Sequence, residues 1–426
     1  MDLDVLHLST GDLGAGAARG AFWLHQALLR TGVQSRMLVL RKASADPTIL
    51  GPRRGLSKVL SAAVPLVDGL PVRLYAGRDR TAFFSTAWWP TRVGRLIERL
   101  QPRLLNLHWV GAGFLAPEDL ASVRCPIVWT LRDMWPLTGG CHYAGDCTRF
   151  HGGCGACPQL GSTSEWDLSR WMHARKRKAW ARQQIVLVAV SQWMAACAHQ
   201  SGVFPDARVV VIPNALDEAV FRPLDKRLAR EVLGLDPERP LILFGAINPT
   251  VDKRKGGAYL QAALQQLDRS SLPDPQLLIF GATAGQSGVH FGSDARYLGY
   301  VHDDRLLALV YSAADVTLVP STEEAFGKTA MESMACGTPV VSFDIGGLKD
   351  IVDHQLNGYR ARAFEPGDLA AGIRWVLEDG ERWLRLSENA RHKVLQRFTF
   401  DLQAGRYRAL YQECLAVGGL EQAHGP

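Results

Sequence analysis

The chain contains no run of roughly 18 uninterrupted apolar residues, the length a membrane-crossing helix needs. Its most apolar stretch, Val59 to Leu70, is broken by Pro65 and Asp68. It also opens without a secretory leader, because Met1-Asp2-Leu3-Asp4 is acidic and runs straight into a strand. These absences predict a cytoplasmic protein whose thiols stay reduced. The dinucleotide fingerprint G-x-G-x-x-G with its downstream acid is missing too, although a glycine-bearing loop, Ser9 to Gly16, follows the first strand. Neither sign of charge dominates, with a net charge of only +6. No nucleic-acid-binding module is visible, so nucleic acid is excluded as a partner.

What is present suits a globular protein, with 47% hydrophobic and 21% charged residues. At 426 residues the chain exceeds one ordinary core, and two domains of about 200 residues each are expected. The first opens with a strand at Val5 to Leu8, a helix from Ala17 to Thr31 and a strand at Ser35 to Leu40. This β-loop-α-β order starts a doubly wound sheet. Further strands read at Leu104 to His108, Ile127 to Leu131, Val186 to Val190 and Val209 to Ile212. Residues Pro47 to Pro90, rich in Pro, Gly, Arg and aromatics, read as irregular and as a surface for an acceptor or a membrane. The second domain reopens with the strand Pro240 to Gly245 and a basic loop, Lys253-Arg-Lys-Gly256, that enters a helix. Backbone N–H groups at a helix start combined with cations make a diphosphate cradle.

The most informative stretch is Asp315 to Val352, DVTLVPSTEEAFGKTAMESMACGTPVVSFDIGGLKDIV. Two β-branched strands flank a helix from Lys328 to Cys336, which Gly337 and Pro339 stop. Glu324 lies in the strand-to-helix loop and Glu332 lies eight positions later, inside the helix. Gly327 lets the backbone approach a ligand, and the helix start offers free N–H groups to an anion. Ligands of parallel-sheet enzymes bind at such loops, beyond the carboxyl ends of strands.

Glu324-Ala-Phe-Gly-Lys followed by Glu332 resembles the E-x7-E signature of retaining glycosyltransferases of the family-four type. The resemblance implies the GT-B fold, an α/β architecture of two Rossmann-like domains facing a central cleft. It divides the chain into an acceptor domain at 1–216, a nucleotide-sugar domain at 217–399 and a C-terminal helix at 400–426 that packs back on the first domain. By the same resemblance, Glu324 faces the donor sugar, Glu332 holds the ribose, and Lys255 holds the diphosphate with Arg254 or Lys253. The family's diphosphate Arg position falls on Ala246, and its Gly pair on Ala15-Gly16, of which only Gly16 matches. The backbone around Tyr300 and Val301 meets the base, and Phe326, Gly327 and Lys328 line the donor loop. His108 falls where a family histidine sits at a strand end. Trp129 to Trp135 resembles a motif in which a histidine precedes Asp133 and reaches the donor sugar; Arg132 stands in its place.

The implied activity is transfer of a hexose from a UDP- or GDP-sugar to a polysaccharide or lipid-linked saccharide, with no cofactor needed for catalysis. Asp2-x-Asp4 has the spacing of a metal-binding pair, but it precedes the first strand and reads as surface charge. Cys141, Cys147, Cys154 and Cys157 form C-x5-C-x6-C-x2-C. A structural zinc, disulfides or free thiols are open, with His142 and His151 as substitute ligands. The cluster resembles a subgroup from exopolysaccharide and colanic-acid-type gene clusters. Two basic clusters, Arg53 to Arg80 around the apolar stretch and Arg175 to Lys178, read as solvated faces or as docking sites for an anionic inner-membrane surface. An epimerase or a phosphorylase would need residue sets that are absent. A non-catalytic sugar-binding protein with a decayed site is the remaining alternative.

Overall fold

The computed structural model describes residues 4–14, 16–52, 55–245, 247–248, 251–267, 274–283, 289, 291 and 294–423. The chain separates into two compact units, Met1–Pro213 with Asp401–Pro426, and Asn214–Phe400.

The first unit is built on β1 (Val5–Gly11), β2 (Ser35–Arg41), β3 (Ile49–Leu50), β4 (Leu104–Leu107), β5 (Ile127–Leu131), β6 (Ile185–Ala189) and β7 (Val209–Val211). They pair in parallel in the order β3-β2-β1-β4-β5-β6-β7. Parallel strands covered by helices on both faces need apolar runs rather than alternation. Leu104-Leu-Asn-Leu107 and Ile127-Val-Trp-Thr-Leu131 are accordingly buried at every position. The helices are α1 (Gly16–Arg30), α2 (Leu56–Asp68), α3 (Leu70–Arg73), α4 (Val93–Leu100), α5 (Leu168–Trp180) and α6 (Gln192–Gln200).

The stretch Pro47 to Pro90 is therefore not irregular. Pro65 lies inside α2, where it removes one N–H donor. Tertiary bonds hold the helix in place: the Asp68 carboxylate accepts N–H bonds from Ala87 at 2.6 Å and Thr86 at 3.2 Å, and Trp88 Nε1 donates to the Val67 carbonyl at 2.9 Å. Composition alone misses such anchors.

The second unit carries α7 (Lys226–Leu233), α8 (Gly257–Gln266), α9 (Asp304–Ala313), α10 (Lys328–Ala335), α11 (Leu348–Ile351), α12 (Pro366–Leu377) and α13 (Gly380–Arg397). Its strands are β8 (Leu241–Gly245), β9 (Gln276–Phe280), β10 (Arg296–Tyr297), β11 (Val316–Val319), β12 (Val340–Phe343) and β13 (Gly358–Ala361). Their order is β10-β9-β8-β11-β12-β13, all parallel. Its core interleaves Ile242, Phe244, Ile279, Leu318 and Phe343 with Leu260, Leu369 and Ile373 from the covering helices. The last helix, α14 (Phe400–Ala423), belongs with the first unit from Asp401 onward. There Tyr411 Oη accepts a bond from Asn106 of β4, and Tyr407 Oη lies 2.9 Å from Thr130 Oγ1 of β5.

Candidate active site

In the second unit the strand order reverses direction between β8 and β11, the place where doubly wound sheets take ligands. A cleft opens there, lined by Gly245, Lys255, Pro320, Ser321, Glu324 and Gly327 among others. Lys255 closes a short turn whose first residue, Asp252, accepts the N–H of Arg254 at 3.0 Å. Gly256 follows in the left-handed region at φ 73°, and a Cβ there would lie 1.8 Å from the Pro320 carbonyl oxygen. The Arg254 carbonyl accepts the N–H of Thr322 at 2.8 Å. These two contacts clamp the basic loop after β8 against the loop after β11. Lys255 Nζ consequently reaches Glu324 Oε2 at 2.8 Å.

Glu324 itself is held through its backbone, whose carbonyl accepts the N–H of Gly347 at 2.9 Å. Gly327, at φ 108°, starts α10 in a conformation a side chain would resist, and a Cβ there would meet Leu348 Cδ2 at 2.5 Å. Gly327 and Thr329 at the start of α10 line the cleft, and the first turn of a helix leaves its N–H groups without intrahelical partners. One turn into α10, Glu332 is 5% exposed, accepts a bond from Tyr311 Oη at 2.9 Å and lies 3.7 Å from Lys328 Nζ. Lys255, Glu324 and the start of α10 thus line one cleft, with Glu332 buried one turn further along the same helix, an arrangement suited to an anionic, hydroxyl-rich ligand.

Other expected donor residues are placed differently. Arg254 turns to Asp252, with Nη2 to Oδ2 at 2.7 Å. Phe326 points inward, 2% exposed, with its ring 5.7 Å from that of Phe398. Tyr300 is half exposed, donates to Asn248 Oδ1 and stacks on His302, and Val301 adjoins it at the surface. Ala15, Ala246, Asp2 and Leu3 lie outside the described residues. Asp4, the other acid of that pair, sits 3.7 Å from Arg103.

The first unit brings Gly16, His108 and Arg132 to the carboxyl ends of β1, β4 and β5. Gly16 is exposed at the start of α1. Arg132 is 7% exposed and donates from Nη2 to His108 Nδ1 at 3.3 Å, and His108 Nε2 lies 2.8 Å from His7 Nδ1. Because the guanidinium can only donate, His108 accepts at Nδ1 and passes its own Nε2–H to His7. Burial first, then His25 beside His7 and Arg132 beside His108, holds both imidazoles well below their ordinary pKa, so both are neutral. Arg132 also closes on α1, since a Cβ on Gly20 would sit 2.7 Å from its Nη1.

A second polar set, not legible beforehand, surrounds Asp133. Its carboxylate takes His142 Nδ1 at 2.5 Å, and His142 Nε2 lies 2.7 Å from Ser85 Oγ. The order has the look of a nucleophilic triad. Ser85, however, is fully buried and already accepts the N–H of Ala112 at 2.8 Å, so the set ties loops together.

Of the four cysteines, Cys157 is tied to α5 (Leu168–Trp180), donating its N–H to the helix's N-cap Asp167 at 2.8 Å. Lys176, read from sequence as part of a solvated basic face, is instead fully buried. Its ammonium donates to the carbonyls of Trp135 and of Thr138, the latter at 3.0 Å, and lies 3.7 Å from the Trp135 ring centroid. Burial pushes it down to about 7, and pushes the Cys154 thiol up to about 12 and the Cys141 thiol higher still. Zinc needs thiolates gathered as three or more ligands. Among the described residues no such group of His, Cys, Asp or Glu side chains is present, and His142 is engaged by Asp133 and Ser85. The zinc expectation therefore takes no part in the reading of the site.

Comparison with known proteins finds family matches on both halves of the chain. Residues 14–220 match the model described as Glycosyltransferase Family 4, and residues 225–393 match Glycosyl transferases group 1. D-inositol 3-phosphate glycosyltransferase of Segniliparus rotundus is 35% identical over 224 residues, which are 50% of this chain and 49% of that protein. The corresponding protein of Thermobispora bispora is 35% identical over 227 residues, 50% of this chain and 52% of that protein. The chain spans about half the length of the curated relatives it matches. In structure it is similar to a sucrose-phosphate synthase from Thermosynechococcus elongatus, with a TM-score of 0.72 and 20% identity, covering 97% of this chain and 100% of that one. Anabaena HepE in complex with UDP gives a TM-score of 0.67 at 17% identity, covering 96% and 100%. At such identities the likeness speaks for the fold alone. One family match on each half of the chain, together with two parallel-sheet units of this topology, places the chain among the GT-B glycosyltransferases of family 4 and group 1.

Proposed function

We propose that the protein is a retaining, metal-independent hexosyltransferase. Its donor is a UDP- or GDP-sugar, and its acceptor a polysaccharide or lipid-linked saccharide of the cell envelope, met at the cytoplasmic face of the membrane. The observation that carries the reading is the Lys255–Glu324 pair at 2.8 Å beside the start of α10, with Glu332 eight residues on. A departing nucleoside diphosphate needs cationic neutralisation at its phosphates, which Lys255 and the α10 N–H groups supply. Glu324 then exchanges its ammonium partner for sugar hydroxyls, and Glu332, held by Tyr311, accepts from the ribose. No protein nucleophile is assigned. HepE, crystallised with UDP-glucose and with UDP, shares the fold and supports a uridine donor. The cysteine cluster supports exopolysaccharide synthesis as the pathway.

The rival reading is a sugar-binding protein with a decayed site, motivated by Arg132 in the position of a family histidine. Incubating the pure protein with UDP-, GDP- and ADP-sugars separates the two. Stabilisation in a thermal-shift assay with nucleotide release upholds the transferase. Stabilisation with no release under any acceptor mixture upholds the binding protein, and no stabilisation by any nucleotide overturns both.

A further inference from the structure

The helix α2 is amphipathic the wrong way round for a solvated surface. Its polar Ser61 and Asp68 are buried, 7% and 2% exposed, while Val59, Leu60 and Leu66 are 66%, 59% and 62% exposed. The exposed set continues through α3, with Leu70 at 46% and Leu74 at 85%. Positions 59, 62, 66, 70 and 74 recur at helical spacing, so these side chains form one outward stripe. Rotation of the helix cannot relieve this. Asp68 is bonded to Thr86 and Ala87, Trp88 grips the Val67 carbonyl, and Val64 packs where a Cβ on Gly113 would lie 3.0 Å from its Cγ1. The polar face is committed inward.

The exposed charges beside the stripe are mostly cationic. Lys58, Arg73 and Arg80 are exposed and Arg78 is half-buried; of the two acids between Gly55 and Arg80, Asp68 is buried and Asp79 is exposed. An apolar stripe flanked by cations complements acyl chains beneath anionic headgroups. No helix among the described residues is long and apolar enough to cross a membrane. The segment would therefore lie in the interface.

We infer that the outward face of α2 and α3 docks this protein on an anionic lipid bilayer. The inference supplies a surface for the lipid-linked acceptor of the function proposed above, but binding is read without any transfer. Full-length protein is sedimented with vesicles of phosphatidylcholine alone and of phosphatidylcholine mixed with phosphatidylglycerol. The expected result is binding to the anionic vesicles that falls steeply with salt and is absent from the neutral ones. Leu66→Asp with Leu74→Asp, and separately Lys58→Glu with Arg73→Glu, should each reduce the bound fraction at least tenfold. Thermal unfolding and nucleotide-induced stabilisation should stay at the parent values, since these side chains face solvent. Absence of binding, or undiminished binding by either variant pair, overturns the inference. So does a concentration-dependent dimer, seen by analytical ultracentrifugation, that the leucine substitutions abolish, because a second copy would then cover the stripe. Loss of nucleotide stabilisation in the parent protein would instead count against the transferase reading alone.

Discussion

Lys255 Nζ and Glu324 Oε2 stand 2.8 Å apart across the cleft of the second unit, so this cation and this acid neutralise one another. Under the proposed function, binding a diphosphate divides that pair, with the ammonium turning to phosphate and the carboxylate to sugar. The pair is partly exposed, at 22% and 16% for the two side chains, which makes its dissolution inexpensive. Lys255→Ala should lower turnover by about 10²–10³-fold, the range seen when one charge-stabilising group is removed. Glu324→Gln keeps hydrogen-bonding capacity and should cost less in donor affinity than in turnover. Steady-state nucleotide release checks both, and full activity in either variant would refute the assignment.

Glu332 should behave differently because its support comes from Tyr311. With Glu332 5% exposed, Tyr311→Phe withdraws the hydroxyl that Oε2 accepts at 2.9 Å. A buried acceptor deprived of its donor costs about 1–3 kcal/mol. The expected signature is a lower melting temperature with a raised KM for the donor and little change in kcat. A fall in kcat with unchanged KM would contradict the positioning role.

Gly256 gives a sharper test of how the site is assembled. A methyl group at this residue would lie 1.8 Å from the Pro320 carbonyl oxygen, an atom with no freedom to swing away. Gly256→Ala must therefore displace the loop that carries Lys255. A misplacement of about 1 Å can cost 10²-fold in rate. Activity should drop by at least tenfold, while Gly14→Ala, with nothing within 4 Å of its added Cβ, serves as the control for a glycine at positive φ.

Glu324, Gly327, Glu332 and Lys255 are legible in the sequence because each sits at a fixed offset from a strand end or a helix start. Local spacing determines where such residues fall. Tyr311 is not legible, since its bond to Glu332 spans 21 residues and depends on α9 packing beside α10. The same holds for Lys176, which composition assigns to a solvated basic run and tertiary packing encloses among Trp135 and two carbonyls. The helix in 56–68 is hidden by Pro65 and by its inverted polarity, because a pattern search expects the polar side to face water. Parallel strands are the easy part: buried on both faces, they announce themselves as short apolar runs.

Arg132 and Gly20 should be energetically coupled. A Cβ on residue 20 would lie 2.7 Å from Arg132 Nη1, and the guanidinium is held by its bond to His108. In the parent chain Gly20→Ala should destabilise by about 1–3 kcal/mol, the usual cost of overpacking. In an Arg132→His background the clash is gone. The same substitution should then stabilise by up to about 1 kcal/mol, because alanine is the better helix former within α1. A double-mutant cycle of urea midpoints reads the coupling, and additive effects would show that the two residues do not touch.

Lys176 sets a pH dependence whose sign can be worked out. Burial lowers it from 10.5 to about 7 in the folded chain, so between those values the unfolded chain holds a proton that the folded chain has released. Stability rises with pH wherever the unfolded state binds more protons, here by on the order of 1 kcal/mol per pH unit. The thiols act in the opposite sense. With Cys154 pushed up from 9.0 to about 12 and Cys141 also raised, both by burial, the unfolded chain sheds protons above pH 9 that the folded chain keeps. Unfolding free energy should therefore climb from pH 7 to about 9 and decline beyond. In Lys176→Met the rise should vanish and the decline remain, as urea titrations at pH 7, 8, 9 and 10 would show. An unchanged rise in that variant would mean that the amine is not the group that titrates.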